Sequence, residues 1–327
     1  MDLFKMMLVL IWTTHHTNLC FGLSIWSYNI MDSGFRSESG VWDPKGDRIP
    51  GNLTDFMAGS SKYVDILGIV ETAGWTKNDT TKHPGYDSIA KSWGFAYVHV
   101  RDNCAIMSKK NITVLEEPPE GSSTIVAKVD GVVYIVTSMS SLSSASKYED
   151  FKRLATLVMK YTHEKTVLMG DLNALSPLDA PRYNESLLCG NGTYDPNRHT
   201  GEYVINFCLQ DADGNWKLDY SPMETLMNSS DLTDLCYVTG GFYDSDPDVR
   251  KSHYSSCAFS NPTLLIRMTG EKPGAQTDYK HAQAKIDYIL ANENMLSGDL
   301  KFHHTTVVRT FQADGCSDHY PIEATFL

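Results

Sequence analysis

Seven residues able to hold a metal ion or move a proton stand where apolar runs give way to polar sequence: Asn29, Glu71, Asp171, Asn173, Asp287, Asp318 and His319. Any one of them reads equally well as a turn or a helix cap, because Asp and Asn favour both. Asn29 can cap a turn, and Asp287, inside an apolar run, can be a buried hydrogen-bonded carboxylate with no chemistry to do. The set carries more weight than its members, because strand ends from distant segments can converge on one pocket.

The elements that must position them are short and rich in β-branched residues. Residues 23–28 precede Asn29, 66–70 precede Glu71, 132–136 precede Thr137-Ser138, and 166–169 precede Gly170-Asp171; 286–290 and 320–326 are of the same kind. Such runs predict buried strands. Over 146–163, Tyr148, Phe151, Leu154, Leu157, Val158 and Tyr161 recur at helical spacing, predicting a helix that covers one sheet face. Regular βαβ alternation and a Gly-rich first turn are both missing, which argues against a dinucleotide-binding sheet and for layered α/β with mixed sheets. Residues 179–230 are rich in Asn, Gly, Asp, Pro and Ser and hold two cysteines, so long disulfide-tied loops are expected there.

The chain has 327 residues, 42% apolar and 21% charged, enough for one large domain, placed at residues 23–327. Residues 1–22 place Lys5 before the apolar run from Met6 to Trp12 and read as a cleaved secretory signal; a buried first helix is the other reading. The run is too short for a bilayer, and no other reaches about 18 apolar residues. Cleavage would remove Cys20 and leave Cys104, Cys189, Cys208, Cys236, Cys257 and Cys316, an even set without C-x-x-C spacing, which points to up to three disulfides of unreadable pairing. Sequons at Asn52, Asn78, Asn111, Asn184, Asn191 and Asn228 fit a glycosylated exported surface. The formal net charge of −12 disfavours non-specific binding to polyanions, although an enzyme needs only a locally positive groove and a metal. A monomer is the default state.

Ser27-Tyr28-Asn29-Ile30, the run from Asp65 to Glu71, the run from Val167 to Ala174 around Gly170-Asp171-Leu172-Asn173, Lys285-Ile286-Asp287-Tyr288 and Ser317-Asp318-His319-Tyr320-Pro321 follow one another in order. Together they resemble the motifs of the endonuclease/exonuclease/phosphatase superfamily, over residues 23–327. The resemblance implies a four-layer α/β sandwich, two mixed β-sheets face to face with helices outside and the site at one end. It also implies metal-dependent hydrolysis of a phosphoester. Carried over residue by residue, Glu71 would be the principal metal ligand with Asn29 and Asp318 nearby, and their hard oxygen donors suit Mg2+, Mn2+ or Ca2+. Asp171 would orient or deprotonate the attacking water, and Asn173 would hold that water or a phosphate oxygen. His319 would contact the phosphate, with Asp287 fixing its tautomer.

One position departs from the family pattern. Many members carry a histidine after the strand that precedes the long helix, where it is thought to protonate the leaving oxygen; here that place is Met139, in Thr137-Ser138-Met139-Ser140. A thioether donates no proton. Another group or a metal-bound water would then do this work, or the leaving group would need no acid; a weakened enzyme and a non-catalytic binding protein are the other readings. The wording of the motifs is nearest to pancreatic-type deoxyribonucleases, which makes DNA or RNA the first substrate class, with a phospholipid such as sphingomyelin, or a phosphomonoester, as the alternative. Arg36, Lys45, Arg48, Lys77, Lys82, Arg101, Lys109 and Lys110 are scattered and form no basic cluster in sequence.

Overall fold

A computed structural model of the chain describes residues 22–30, 53–78, 85–118, 122–139, 144–183, 185–189, 207–239, 285–308, 316–317 and 319–327. The expected signal segment before Gly22, together with Asp318, Cys257 and the sequons at Asn52, Asn184 and Asn191, lies outside the described residues.

The strands are β1 (Leu23–Asn29), β2 (Ile66–Val70), β3 (Tyr97–Arg101), β4 (Cys104–Ser108), β5 (Thr113–Glu116), β6 (Thr124–Val129), β7 (Val132–Ser138), β8 (Lys165–Asp171), β9 (Cys208–Gln210), β10 (Trp216–Leu218), β11 (Thr233–Asp234), β12 (Asp287–Ala291), β13 (Phe302–Val307) and β14 (Ile322–Phe326). The longer helices are α1 (Leu53–Ser60), α2 (Tyr86–Ser92), α3 (Ser144–Met159) and α4 (Ser221–Ser229). Two six-stranded sheets form, in the orders β13-β14-β1-β2-β4-β3 and β11-β12-β8-β7-β6-β5, and both are mixed.

Alternation along each strand builds the layers. In β1, Ile25 points into a core shared by both sheets, while Trp26 and Tyr28 pack outward with Leu53, Phe56 and Met57 of α1 and Ile89 of α2. In β7, Val132, Tyr134 and Val136 face the shared core, and Val133 and Ile135 face Phe151, Leu154 and Val158 of α3 and Met223 and Leu226 of α4. Strands covered on both faces read as continuous apolar runs. The four-layer α/β sandwich is therefore present as expected.

Strand direction gathers the polar ends at one rim. β1 runs parallel to β2, and β7 parallel to β8, so Asn29, Glu71, Ser138 and Asp171 come at matching ends. β12 runs antiparallel to β8, and its first residue, Asp287, lies directly opposite Asp171. Gly170 permits β8 to pair with β7, since it has φ of +141° and a Cβ there would stand 1.8 Å from the Thr137 carbonyl oxygen.

Three expectations are corrected. The helix expected over 146–163 is Ser144–Met159, followed by a turn over residues 160–163. Residues 179–230 are not only loops, because they carry the β9–β10 hairpin and α4, which Pro222 helps to start by fixing φ in the first turn. Cysteines 189 and 208 are joined in a disulfide, but Cys104, Cys236 and Cys316 are buried thiols, not half-cystines. Each packs as a small apolar side chain, Cys104 and Cys236 between the sheets and Cys316 under α1 and α2.

Candidate active site

Asn29 closes β1 with its side chain buried, and its Nδ2 donates to Glu71 Oε1 at 2.9 Å and to Asp171 Oδ2 at 3.0 Å. One amide thus ties a carboxylate of the first sheet to one of the second. Glu71 directly follows β2 and has φ of +65°, a conformation that costs a non-glycine residue about 1–3 kcal/mol and tends to persist at functional sites.

Asp171 is the last residue of β8 and is buried. Its Oδ1 accepts the backbone N–H of Asn173 at 2.8 Å, closing a tight turn in which Asn173 has φ of +47°. Asn173 Nδ2 donates to the Met139 carbonyl at 3.0 Å, and the Met139 N–H donates to the Asp171 carbonyl at 2.8 Å. On the other side of the turn, the Leu172 N–H donates to the Ile286 carbonyl at 2.8 Å. The Asp171–Asn173 turn is held from both sides, by Met139 and by Ile286.

His319 Nδ1 lies 2.7 Å from Asp287 Oδ2, and its Nε2 lies 3.4 Å from Asn29 Nδ2. A carboxylate only accepts, so Nδ1 carries the proton and Nε2 is the nitrogen turned to the site. Ser317 supports the loop: its hydroxyl donates to the Asn29 carbonyl at 2.7 Å and accepts the His319 N–H at 3.1 Å.

Ligand atoms of Asp171, Asp287 and His319 lie within 4.8 Å of one another, and Asn29 joins Glu71 to this group. Burial, and next the nearby Asp287 charge, push the Asp171 carboxyl up to about 8. A divalent cation fits this donor set, because it supplies the positive charge that a buried cluster of carboxylates calls for, and the donors are hard oxygens. The expected ligands Asn29 and Glu71 are at this cluster, as are Asp171, Asn173, Asp287 and His319.

Sequence reasoning overlooked two buried lysines. Lys147, on the inner face of α3 one turn before Phe151, donates from Nζ to the Asn173 carbonyl at 2.7 Å and sits 5.1 Å from the centre of the Phe207 ring. Burial lowers its ammonium to about 8, against the opposing pull of Asp171 and Asp219. A lysine in phase with Phe151, Leu154 and Val158 was the available signal. Lys285, two residues before Asp287, is ion-paired to Asp179 at 2.7 Å and Asp234 at 2.5 Å, all three buried. Burial disfavours that ammonium, but the two carboxylates outweigh it and hold its pKa well above the ordinary value. Asp179 and Asp234 carry no sequence pattern that would pair them with Lys285.

The site opens into a cavity of about 1090 Å³ that runs from Glu71, Asp171, Asn173 and His319 past Met139 toward α3. Of the scattered basic residues, Arg101 approaches Asp102 and Glu117 at 3.6 Å each, Lys109 approaches Asp65 at 3.7 Å, and Lys110 is paired with Asp130. Arg36, Lys45, Arg48 and Lys82 lie outside the described residues.

The fold of two mixed six-stranded sheets packed face to face, with helices outside, is shared with solved AP endonuclease structures. Among solved structures, an AP endonuclease from Archaeoglobus fulgidus superposes with a TM-score of 0.52 at 16% identity, covering 93% of this chain and 99% of that one. The AP endonuclease LMAP from Leishmania major superposes with a TM-score of 0.53 at 12% identity, covering 93% and 87%. No protein-family model matches the chain. No curated protein matches it either.

Proposed function

We propose that this chain is a secreted phosphoesterase that uses Mg2+ or a similar divalent ion to hydrolyse phosphodiesters, with nucleic acid as the first substrate class. One observation carries the reading: residues 29, 71, 171, 287 and 319, spread over the whole chain, meet at one rim with His319 Nδ1 2.7 Å from Asp287. The motif wording near Asp171 and His319 and the two AP endonucleases that share the fold support nucleic acid as the first choice.

Hydrolysis of a phosphodiester needs an activated water and stabilisation of the charge that grows on the phosphoryl oxygens. The ion, held by Glu71 with Asn29 alongside, would supply positive charge to those oxygens. Asp171, whose carboxylate is oriented by the Asn29 amide and the Asn173 N–H, accepts the proton of the attacking water. Asp287 stabilises the imidazolium of His319, whose Nε2–H meets a phosphoryl oxygen. Asn173 lines the cavity beside them and orients the water.

Export is supported by the Cys189–Cys208 disulfide and by the exposed sequons at Asn78, Asn111 and Asn228. The purified protein should cleave plasmid or oligonucleotide DNA in Mg2+ or Mn2+ and stop on chelation, and Asp171→Ala and His319→Ala should each abolish cleavage. Folded protein that cleaves no phosphoester with any of these ions would refute the proposal. Culture medium from expressing cells should contain protein whose mass falls on glycosidase treatment.

A further inference from the structure

Glu71 is held from a direction that the rim cluster does not account for. It follows β2 with φ of +65°, and its carboxylate meets the cluster through Asn29 Nδ2 at 2.9 Å. A left-handed backbone at a residue that carries a Cβ persists only where the surroundings fix it. Up to Val70 the sheet does this, because β2 pairs with β1 on one side and β4 on the other. Beyond Glu71 the chain leaves the sheet, and the next two N–H groups go to a single residue. Thr72 donates to the Asn103 carbonyl at 3.2 Å, and Ala73 donates to Asn103 Oδ1 at 3.1 Å. Further on, the Trp75 N–H donates to the Thr72 carbonyl at 3.0 Å, and the Trp75 ring is buried edge-on to Trp93. The bend is thus anchored in the core at its far end and on Asn103 at the end nearer Glu71.

Asn103 is presented by a fixed element. Asp102 and Asn103 join β3 to β4 between the paired residues Arg101 and Cys104, and Asp102 is the left-handed residue of that turn, with φ of +48°. A short polar side chain in a turn ordinarily bonds its own backbone. That of Asn103 instead reaches off the hairpin to Ala73. The hairpin tip is in turn tied to the segment that joins β5 to β6 in the other sheet: Arg101 donates to the Pro118 carbonyl and approaches Glu117 at 3.6 Å, and Cys104 Sγ donates to the Ser123 carbonyl at 3.1 Å. Asn103, Ala73 and Glu71 share the wall of one cavity.

We infer that Asn103 is a positioning residue for Glu71, its amide oxygen holding the bend after β2 so that the Glu71 carboxylate stays beside Asn29, ready for a divalent cation. The inference rests on the metal-dependent reading above and concerns how tightly the ion is held. A ligand oriented in advance gives up less freedom when the ion binds, which is why groups one step behind a ligand affect affinity. The Thr72 bond goes to the backbone of Asn103 and is kept by any side chain at that position, so the contribution of the amide can be removed alone.

The test uses the full chain, stripped of metal by chelator and dialysed, with Mn2+ binding measured by calorimetry for wild type, Asn103→Ala, Asn103→Asp and Glu71→Gln. Asn103→Ala should weaken Mn2+ binding about tenfold, the smaller end of the about 10–100-fold that loss of a partner behind a metal ligand typically costs. The Mn2+ concentration for half-maximal hydrolysis should rise by the same factor. Amide hydrogen exchange over residues 71–75 should quicken in Asn103→Ala. Asn103→Asp keeps an acceptor for the Ala73 N–H and should restore both the slow exchange and the affinity. Mn2+ binding by Asn103→Ala as tight as that of the wild type overturns the inference. So does weakened binding without faster exchange over 71–75, because the loss then does not pass through the bend, and so does an Asn103→Asp protein no better than Asn103→Ala. A folded wild type that binds no Mn2+, or Glu71→Gln that binds it as the wild type does, overturns the metal-site reading itself.

Discussion

Replacing Asp171 by asparagine should remove activity and, in the metal-free protein, add stability at neutral pH. Asp171 ordinarily titrates near 3.8, and burial with the neighbouring Asp287 charge raises it to about 8 in the fold. A carboxyl that holds its proton more tightly folded than unfolded makes the native state the better proton binder between those two values. Stability is therefore highest below the unfolded pKa and is lost as pH rises through the window up to about 8. Every tenfold gain in proton affinity on folding is worth about 1.4 kcal/mol. Because Asp171 lies in a tightly coupled buried cluster, the loss across the window should amount to about a few kcal/mol and not the full sum. The assay is urea unfolding in chelator from pH 4 to pH 9, for wild type and Asp171→Asn, repeated with Mg2+. The wild type should lose stability as pH rises, Asp171→Asn should lose much less, and Mg2+ should restore the wild type at the alkaline end. Parallel pH profiles for the two proteins in chelator would refute the reasoning, because the disfavoured charge would then not reside on Asp171.

Other substitutions test separate parts of the site. Asp287→Asn keeps the shape but takes the carboxylate from His319 Nδ1, and kcat should fall about 10²–10⁴ with little change in KM, read from steady-state kinetics. Lys147→Met leaves the Asn173 carbonyl without its ammonium donor and should cost about 1–3 kcal/mol in urea unfolding, along with turnover; Lys147→Arg should recover part of both. Gly170→Ala drives a methyl group into the Thr137 carbonyl and should leave little folded, active protein in the soluble fraction. Cys189→Ser opens a loop of sequence separation 19 and should lower stability by about 2–4 kcal/mol, lost equally when wild type is reduced.

The residues of the rim are legible in the sequence for a physical reason. Strands buried on both faces are largely apolar, so a metal-ligating or charged residue at or just past the end of such a run marks the rim, and Asn29, Glu71 and Asp171 are such residues. Asp287 is harder to place, because it begins its strand and reaches the rim only through the antiparallel pairing with β8. Strands β3 to β6 and β13 are shorter or mixed in polarity and offer weaker patterns; β5, for instance, alternates exposed and half-buried positions. Ion pairs such as Lys285 with Asp179 and Asp234 depend on segments 51 or more residues apart along the chain, and no local rule brings those together. Cysteine parity misled because burial in a core and pairing in a disulfide leave the same residue type in the sequence.

At Met139 the backbone and the side chain do separate work. Its backbone holds both sides of the Asp171–Asn173 turn, giving its N–H to the Asp171 carbonyl and taking the Asn173 amide on its own carbonyl. Those bonds need no particular side chain, so substitution at 139 leaves Asp171, Asn173 and Asn29 in register. Its side chain meets the Thr137 hydroxyl, at 3.8 Å to the sulfur, and the apolar wall with Leu154. The turn that carries Asp171 and Asn173 is thus held by the backbone of Met139, separately from the apolar cluster that its side chain joins.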